Sequence, residues 1–446
     1  MMNVSPFSRF CGNFRSFLIL PLALGWVGRA ALADSAPDRF WPQWRGPLAT
    51  GVAPLADPPL TWSESSNIKW KTPIPGEGDA TPIVWENRIF ILSAIATGKH
   101  HTGFGAGNAP DEIFQWVVIC LDRASGKALW QKTAREEVPH EGHQENNTFA
   151  SASPVTDGKL VLAYFGSRGL HCYDLDGNLK WEKDFGKMKT RMGFGEGASA
   201  ALNGDTVVVN WDTEGDDFIA ALDKQTGKEL WRTPRDEATG WSTPLILEFN
   251  GQKQVIVNAT KKVRSYDLAT GKEIWSCSGQ TANAIPSPVA ADGIVYLTSG
   301  FRGSALQAIR LGRTGDLTGT DAIIWSHDKG TPYVPSPLLA DNFLYVLQGN
   351  DAILSCFNAK TGESYFDRQR LEAIHSVYAS PVSAKDRVYV LSREGTCVVL
   401  KKGPKAEVLA VNKLDDTAGH TDASMALVDK EAFIRTPHNL YCIAMQ

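Results

Sequence analysis

Apolar and polar residues alternate in short runs along most of this chain, with Gly, Asp and Asn between the runs. A period of two is the mark of a half-buried β-strand, and helical periodicity is absent. One phrase recurs. Residues 170–181 read LHCYDLDGNLKW: an apolar run, an Asp, a turn with Gly, a second apolar run and a Trp. The phrase returns at 118–130, 218–231 and 263–275. Each copy predicts a β-hairpin.

A second marker fixes the period. A Ser or Thr, usually followed by Pro and then Val or Leu, opens each repeat at Thr81, Ser153, Ser199, Thr243, Ser287, Ser336, Ser380 and Ser424. Five of the seven gaps are 44 to 46 residues; one of 49 holds an insert near 315–320, and one of 72 spans two inserts in the first repeat. In the second repeat the pattern predicts strand a at 152–155, b at 160–165, c at 170–173 and d at 179–184. Four strands per period, eight times over, predict an all-β fold: an eight-bladed β-propeller of four-stranded antiparallel blades. The last copy ends after 440–444 without a strand d, whereas IKWK at 68–71 has the d pattern ahead of the first opener. The N-terminal strand should therefore close the last blade and remove the exposed edges of an open array.

The S-P-V opener and the L-D-x-x-T-G-K-x-x-W hairpin resemble the PQQ-type β-propeller repeat, shared by BamB-like scaffolds and quinoprotein alcohol dehydrogenases. The resemblance covers nearly all of residues 60–446. It implies that the d-strand tryptophans, Trp70, Trp130, Trp181, Trp231, Trp275 and Trp325, are structural and pack between blades. It says little about chemistry, because the same blade serves enzymes and scaffolds.

Composition narrows the partners. The formal net charge of −4 leaves no basic footprint for nucleic acid and no polybasic patch for membranes. Arg9 and Arg15 precede an apolar run at 17–27 that ends near A-L-A at 31–33. That is the layout of a cleaved secretory signal peptide, too short for a spanning helix. The expected organisation is a signal peptide at 1–33, an N-terminal extension at 34–60 and the propeller at 61–446. The expected product is a periplasmic or secreted monomer without a lipid-anchor Cys. Cys120, Cys172 and Cys356 each precede the turn Asp or Asn by two residues, and Cys397 and Cys442 take the same place. Other copies have Ala or Ser there, so the slot is a small buried one and free thiols are expected.

Chemistry should sit where the repeats differ. The a–b and c–d turns lie on one face and are terse; the b–c and d–a loops lie on the other and are irregular. On that second face we expect a polar pocket at the axis, drawing on Glu145, Asn147, Arg191, Glu196, Trp241, Asn283, Arg302, Tyr333, Tyr378 and Asp422. Arg forks and aromatic faces suit carboxylate-bearing or sugar-like ligands. His100, His101, His140 and His143 are candidate metal ligands, though their spacing matches no standard motif. Asp212, Glu214 and Asp216 form an acidic loop of a kind that binds Ca²⁺, with a solvated loop as the alternative.

The quinoprotein resemblance implies PQQ held by a stacking Trp and an adjacent-Cys disulfide, with Ca²⁺ and an Asp base. Trp241 is the one well-placed stacking residue, Asp212 and Asp422 are the available carboxylates, and no adjacent Cys pair exists. No nucleophile, acid or base is set by the sequence. The reading that results is a binding or scaffold protein that takes a protein or carbohydrate ligand on the loop face. The alternatives are a PQQ- and Ca²⁺-dependent dehydrogenase and a carbohydrate-binding or carbohydrate-cleaving propeller.

Overall fold

A computed structural model of the chain describes residues 36–101, 109–416 and 419–445. The expected signal peptide lies outside the described residues. Residues from Ala36 onward form one compact unit of eight antiparallel blades. In the second blade the strands are Val155–Thr156, Leu160–Tyr164, Leu170–Asp174 and Leu179–Lys183. They pair in order, a to b to c to d. The eighth blade closes as its sequence requires: Ile68–Pro73 pairs antiparallel with Asn439–Ala444 and supplies the missing outer strand.

The hairpin phrase docks each blade on the next. Gly126, Gly177, Gly227, Gly271 and Gly362, each in a c–d turn, approach the d-strand tryptophan of the preceding blade. An added Cβ there would stand 2.4 to 2.8 Å from the indole, so only glycine fits, and its positive φ suits the turn. Trp70, Trp130, Trp181, Trp231 and Trp325 each donate their Nε1–H to the carbonyl one residue after the turn Asp or Asn, at 2.8 to 3.0 Å. Trp275 differs. Its Nε1 bonds Gln254 instead, because the insert strand Gly315–Asp316 lies against Glu273–Cys277 as a fifth strand. The blade 1 inserts also differ from plain loops. Strands b and c run on as Arg88–His100 and Glu112–Asp122, and strand d extends as Ala128–Glu137. The six described cysteines are free and buried. Burial pushes the Cys172 thiol up to about 12.

The opening Ser and Thr residues form a ring. The backbone N–H of each opener donates to the side-chain oxygen of the next, from Thr81 to Ser153 and on to Ser424, at 2.8 to 3.1 Å. Seven such bonds join eight blades. At the eighth joint, where the N-terminal strand closes the circle, Thr81 Oγ1 is buried without a partner.

Residues 40–56 cross the axis at the a–b turn end. Trp41 pairs with Val84 of blade 1 through both backbone groups, and Pro42 O accepts from Thr156 N of blade 2. Thr50 O accepts from Leu339 N of blade 6. Val52–Ala53 then runs parallel to Val382–Ala384 of blade 7. Between these contacts Trp44 Nε1 donates to Ser287 Oγ of the opener ring, at 3.1 Å. The segment is a plug that closes the axial channel from one side.

Candidate functional site

Above the plug lies an axial cavity of ≈ 400 Å³. Its geometry follows from the eight segments that lead from the loop face into the innermost strands. Each strand a begins two residues after its opener, and the segment leading into it brings the opener and the residue two places before it to the axis. Seven openers line the cavity as a polar tier of Ser and Thr. Above them the position two before each opener is Asp79, Ser151, Gly197, Trp241, Ile285, Val334, Tyr378 or Asp422, and all eight line the cavity. The lower tier repeats and the upper one does not. Phe194, Phe301 and Tyr333 add aromatic wall, Gln144, Asn146 and Asn147 add amides, and Trp44 of the plug also faces in.

The upper tier is held in place by its neighbours. Trp241 Nε1 donates to Gly195 O at 2.8 Å, which turns the indole against the wall. Tyr333 stacks on Phe301 with centroids 5.0 Å apart. Asn147 donates to Phe194 O at 2.9 Å and accepts from Ser151 Oγ at 2.6 Å. Asp422 is gripped by Arg393 through two bonds of 2.8 and 2.9 Å. The same guanidinium donates to Asn146 at 2.7 Å and lies 4.1 Å from the Tyr378 centroid.

Asp79 is treated differently. Among the described residues its carboxylate has no ion-pair partner within 4.0 Å. Arg435 is electrostatically close but donates to Leu92 O and Ser93 Oγ. Burial pushes Asp79 up to about 7; the nearby Asp422 carboxylate adds to the rise, and the Arg435 guanidinium opposes it. The folded chain thus holds the Asp79 proton more tightly than the unfolded chain, so stability falls as pH rises between about 4 and about 7. Asp79→Asn removes that loss. In urea titrations the variant should match wild type near about pH 4 and exceed it by about 1–2 kcal/mol near about pH 8. Equal stability at both pH values would mean that Asp79 ionises as it would in water.

A second cavity of ≈ 330 Å³ shares Asp79, Asn146, Asn147 and Asp422 with the first, and includes Glu145, Arg393, His420 and Arg435. It forms a charged vestibule at the seam between blades 8 and 1.

The sequence candidates divide. Asn147, Trp241, Tyr333, Tyr378 and Asp422 meet in the axial cavity, and Glu145 lines the vestibule. Glu196 borders a small side cavity, where it accepts from the backbone N–H and the hydroxyl of Ser167. Arg191, Asn283 and Arg302 line neither the cavity nor the vestibule. Arg191 spends its backbone N–H on Thr239. Asn283 is 2% exposed with no partner for its amide, and Arg302 is exposed over Phe301. Asp79, Trp44, Phe194 and Phe301 complete the wall without having been singled out.

The metal candidates have other partners. His100 pairs with Asp111 at 3.1 Å, and His101 donates its backbone N–H to Asp111 O. His140 donates to Met188 O at 2.7 Å, and His143 lies 3.4 Å from Glu77. Asp212 is fully buried against Arg235, Glu214 accepts from Thr239, and Asp216 is exposed. The described residues contain no cluster of three or more ligating side chains.

Fold and site together define an eight-bladed propeller of the PQQ type with an axial cavity. The chain belongs to the family described as outer membrane protein assembly factor BamB, which it matches over residues 115–368 and 219–444. No curated protein sequence matches it. Its fold is similar to that of BamB from Moraxella catarrhalis, at 15% identity and a TM-score of 0.53 over 79% of this chain and 100% of that one. A computationally designed protein, Ika8, matches with a TM-score of 0.53 and 14% identity, covering 86% of this chain and 98% of that one. Quinohemoprotein alcohol dehydrogenase from Comamonas testosteroni matches with a TM-score of 0.61 at 10% identity, over 92% of this chain and 81% of that one. At these identities the likeness is one of fold.

The dehydrogenase likeness raises PQQ, and the cavity chemistry does not fit it. The quinone is a polyanion. The lining holds two carboxylates and no Lys, Arg or His. Asp212, a candidate calcium ligand, is committed to Arg235. The cysteines are separate buried thiols.

Proposed function

We propose that this chain is an exported binding protein that admits a small organic ligand through its loop face into the axial cavity. The observation that carries the reading is the cavity itself. It is closed at one end by the plug, and a constant tier of hydroxyls lies beneath a tier of unlike side chains. A rigid scaffold with one variable, aromatic and polar pocket is the usual build of a small-molecule site. The apolar run at 17–27 supports export, and among the described residues no helix is long and apolar enough to cross a membrane. Sugars suit the mix of aromatic faces, amides and hydroxyls. Family membership supports a second use of the same loop face, as a docking site for a protein partner.

The test is a thermal-shift screen of the mature protein against sugars, amines and carboxylates, including PQQ with Ca²⁺. At least one class should raise Tm, and Ile285→Trp, which fills the cavity from the upper tier, should abolish the shift. A screen in which no class moves Tm, or in which the filled variant responds as wild type does, would overturn the reading.

A further inference from the structure

We propose that the axial cavity takes an organic cation, an ammonium compound whose charge faces Asp79 and whose hydrocarbon lies on the aromatic wall. The proposal rests on the cavity reading above and adds the class of ligand. The first argument is charge. Of the two lining carboxylates, Asp422 is neutralised by a bidentate pair with Arg393. Asp79 has no such partner, and no basic side chain lines the cavity. Once ionised, the Asp79 carboxylate is offset only at a distance, by the Arg435 and Arg393 guanidiniums that bond elsewhere, so a ligand cation placed against it would complete the site.

The second argument is the wall. Six aromatic rings line the cavity, among them Trp241, Phe194, Tyr333 and Tyr378. Ring faces attract cations, and recognition of ammonium groups by aromatic cages is a recurrent solution. The protein already uses this contact on lining rings, with Arg393 over Tyr378 and Arg302 over Phe301. The opener hydroxyls accept each other's backbone N–H and keep their own protons to donate, so they suit a hydroxyl or carbonyl elsewhere on the same ligand.

The test is isothermal titration of the mature protein with choline, benzyltrimethylammonium and phenethylammonium, beside glucose and PQQ. At least one ammonium probe should bind, about tenfold or more tighter than glucose or PQQ. Its affinity should fall about tenfold or more between about pH 8 and about pH 5.5, as Asp79 takes up a proton. The charged groups facing Asp79 in that titration are Asp422, Glu77, His143, Arg393 and Arg435. Asp79→Asn should remove the pH dependence and lower affinity about tenfold or more; Trp241→Ala should lower affinity at every pH. Binding of glucose alone, lost in Ile285→Trp, would overturn the cation and leave the cavity reading standing. No binding by any probe would overturn the cation, and the Tm screen would then decide the cavity reading separately.

Discussion

Asp212→Ala is expected to cost the fold about 3–5 kcal/mol, read from the urea midpoint, with the same loss in calcium and in EDTA. Both partners of the Asp212–Arg235 pair have fully buried side chains. Arg235 donates to the two oxygens of Asp212 at 2.6 and 3.1 Å and to Tyr266 Oη at 2.6 Å. Asn210 donates to the same carboxylate at 2.9 Å. Asp212 holds Arg235 protonated against the burial that would strip its charge. Deleting the carboxylate strands a guanidinium in the interior of blade 3, and removing one partner of a buried pair costs far more than the pair itself contributes. The sequence left Asp212 open to a calcium role, and the two roles separate cleanly here. A loss that appears only when calcium is removed would restore the ligand reading.

The architecture was legible because blade docking reuses the same few residues. The turn glycine and the d-strand tryptophan meet at five blade joints, and the opener bonds its neighbour at seven, so selection writes both into a fixed period. The site was legible only in part. Trp241, Tyr378 and Asp422 were found as polar or aromatic residues in irregular loops. Asp79 carries no such loop signal, although it occupies the same register two residues before an opener. Reading that second register around all eight copies would have given the upper tier directly. Residues at no shared distance from an opener lack such a register. Arg191, Asn283 and Arg302 lie in the expected loops, but nothing of period two fixes which way a loop side chain turns, and these turn elsewhere. Trp44 was beyond any local pattern, since its partner Ser287 lies 243 residues away.

The cavity and the plug are then one device, and Trp41→Ala tests the join. We expect it to cost about 3–5 kcal/mol in a urea titration, in line with Trp truncations in well-packed cores. Trp41 is 0% exposed and belongs to the core shared by blades 1, 7 and 8. Gly46, in a left-handed turn at φ 77, lies against its ring: a Cβ there would stand 2.8 Å from the indole. The ring therefore fixes both the start of the plug and the turn that carries Trp44 across the axis. Trp41 itself does not line the cavity. A folded Trp41→Ala protein that is newly cleaved by protease within 40–60, and that binds ligand more weakly, would mean that the plug holds the cavity floor by packing. If stability falls but protection and binding stay as in wild type, the ring matters to the core alone, and the floor is held by the strand pairings of Val52–Ala53 and the opener bond of Trp44.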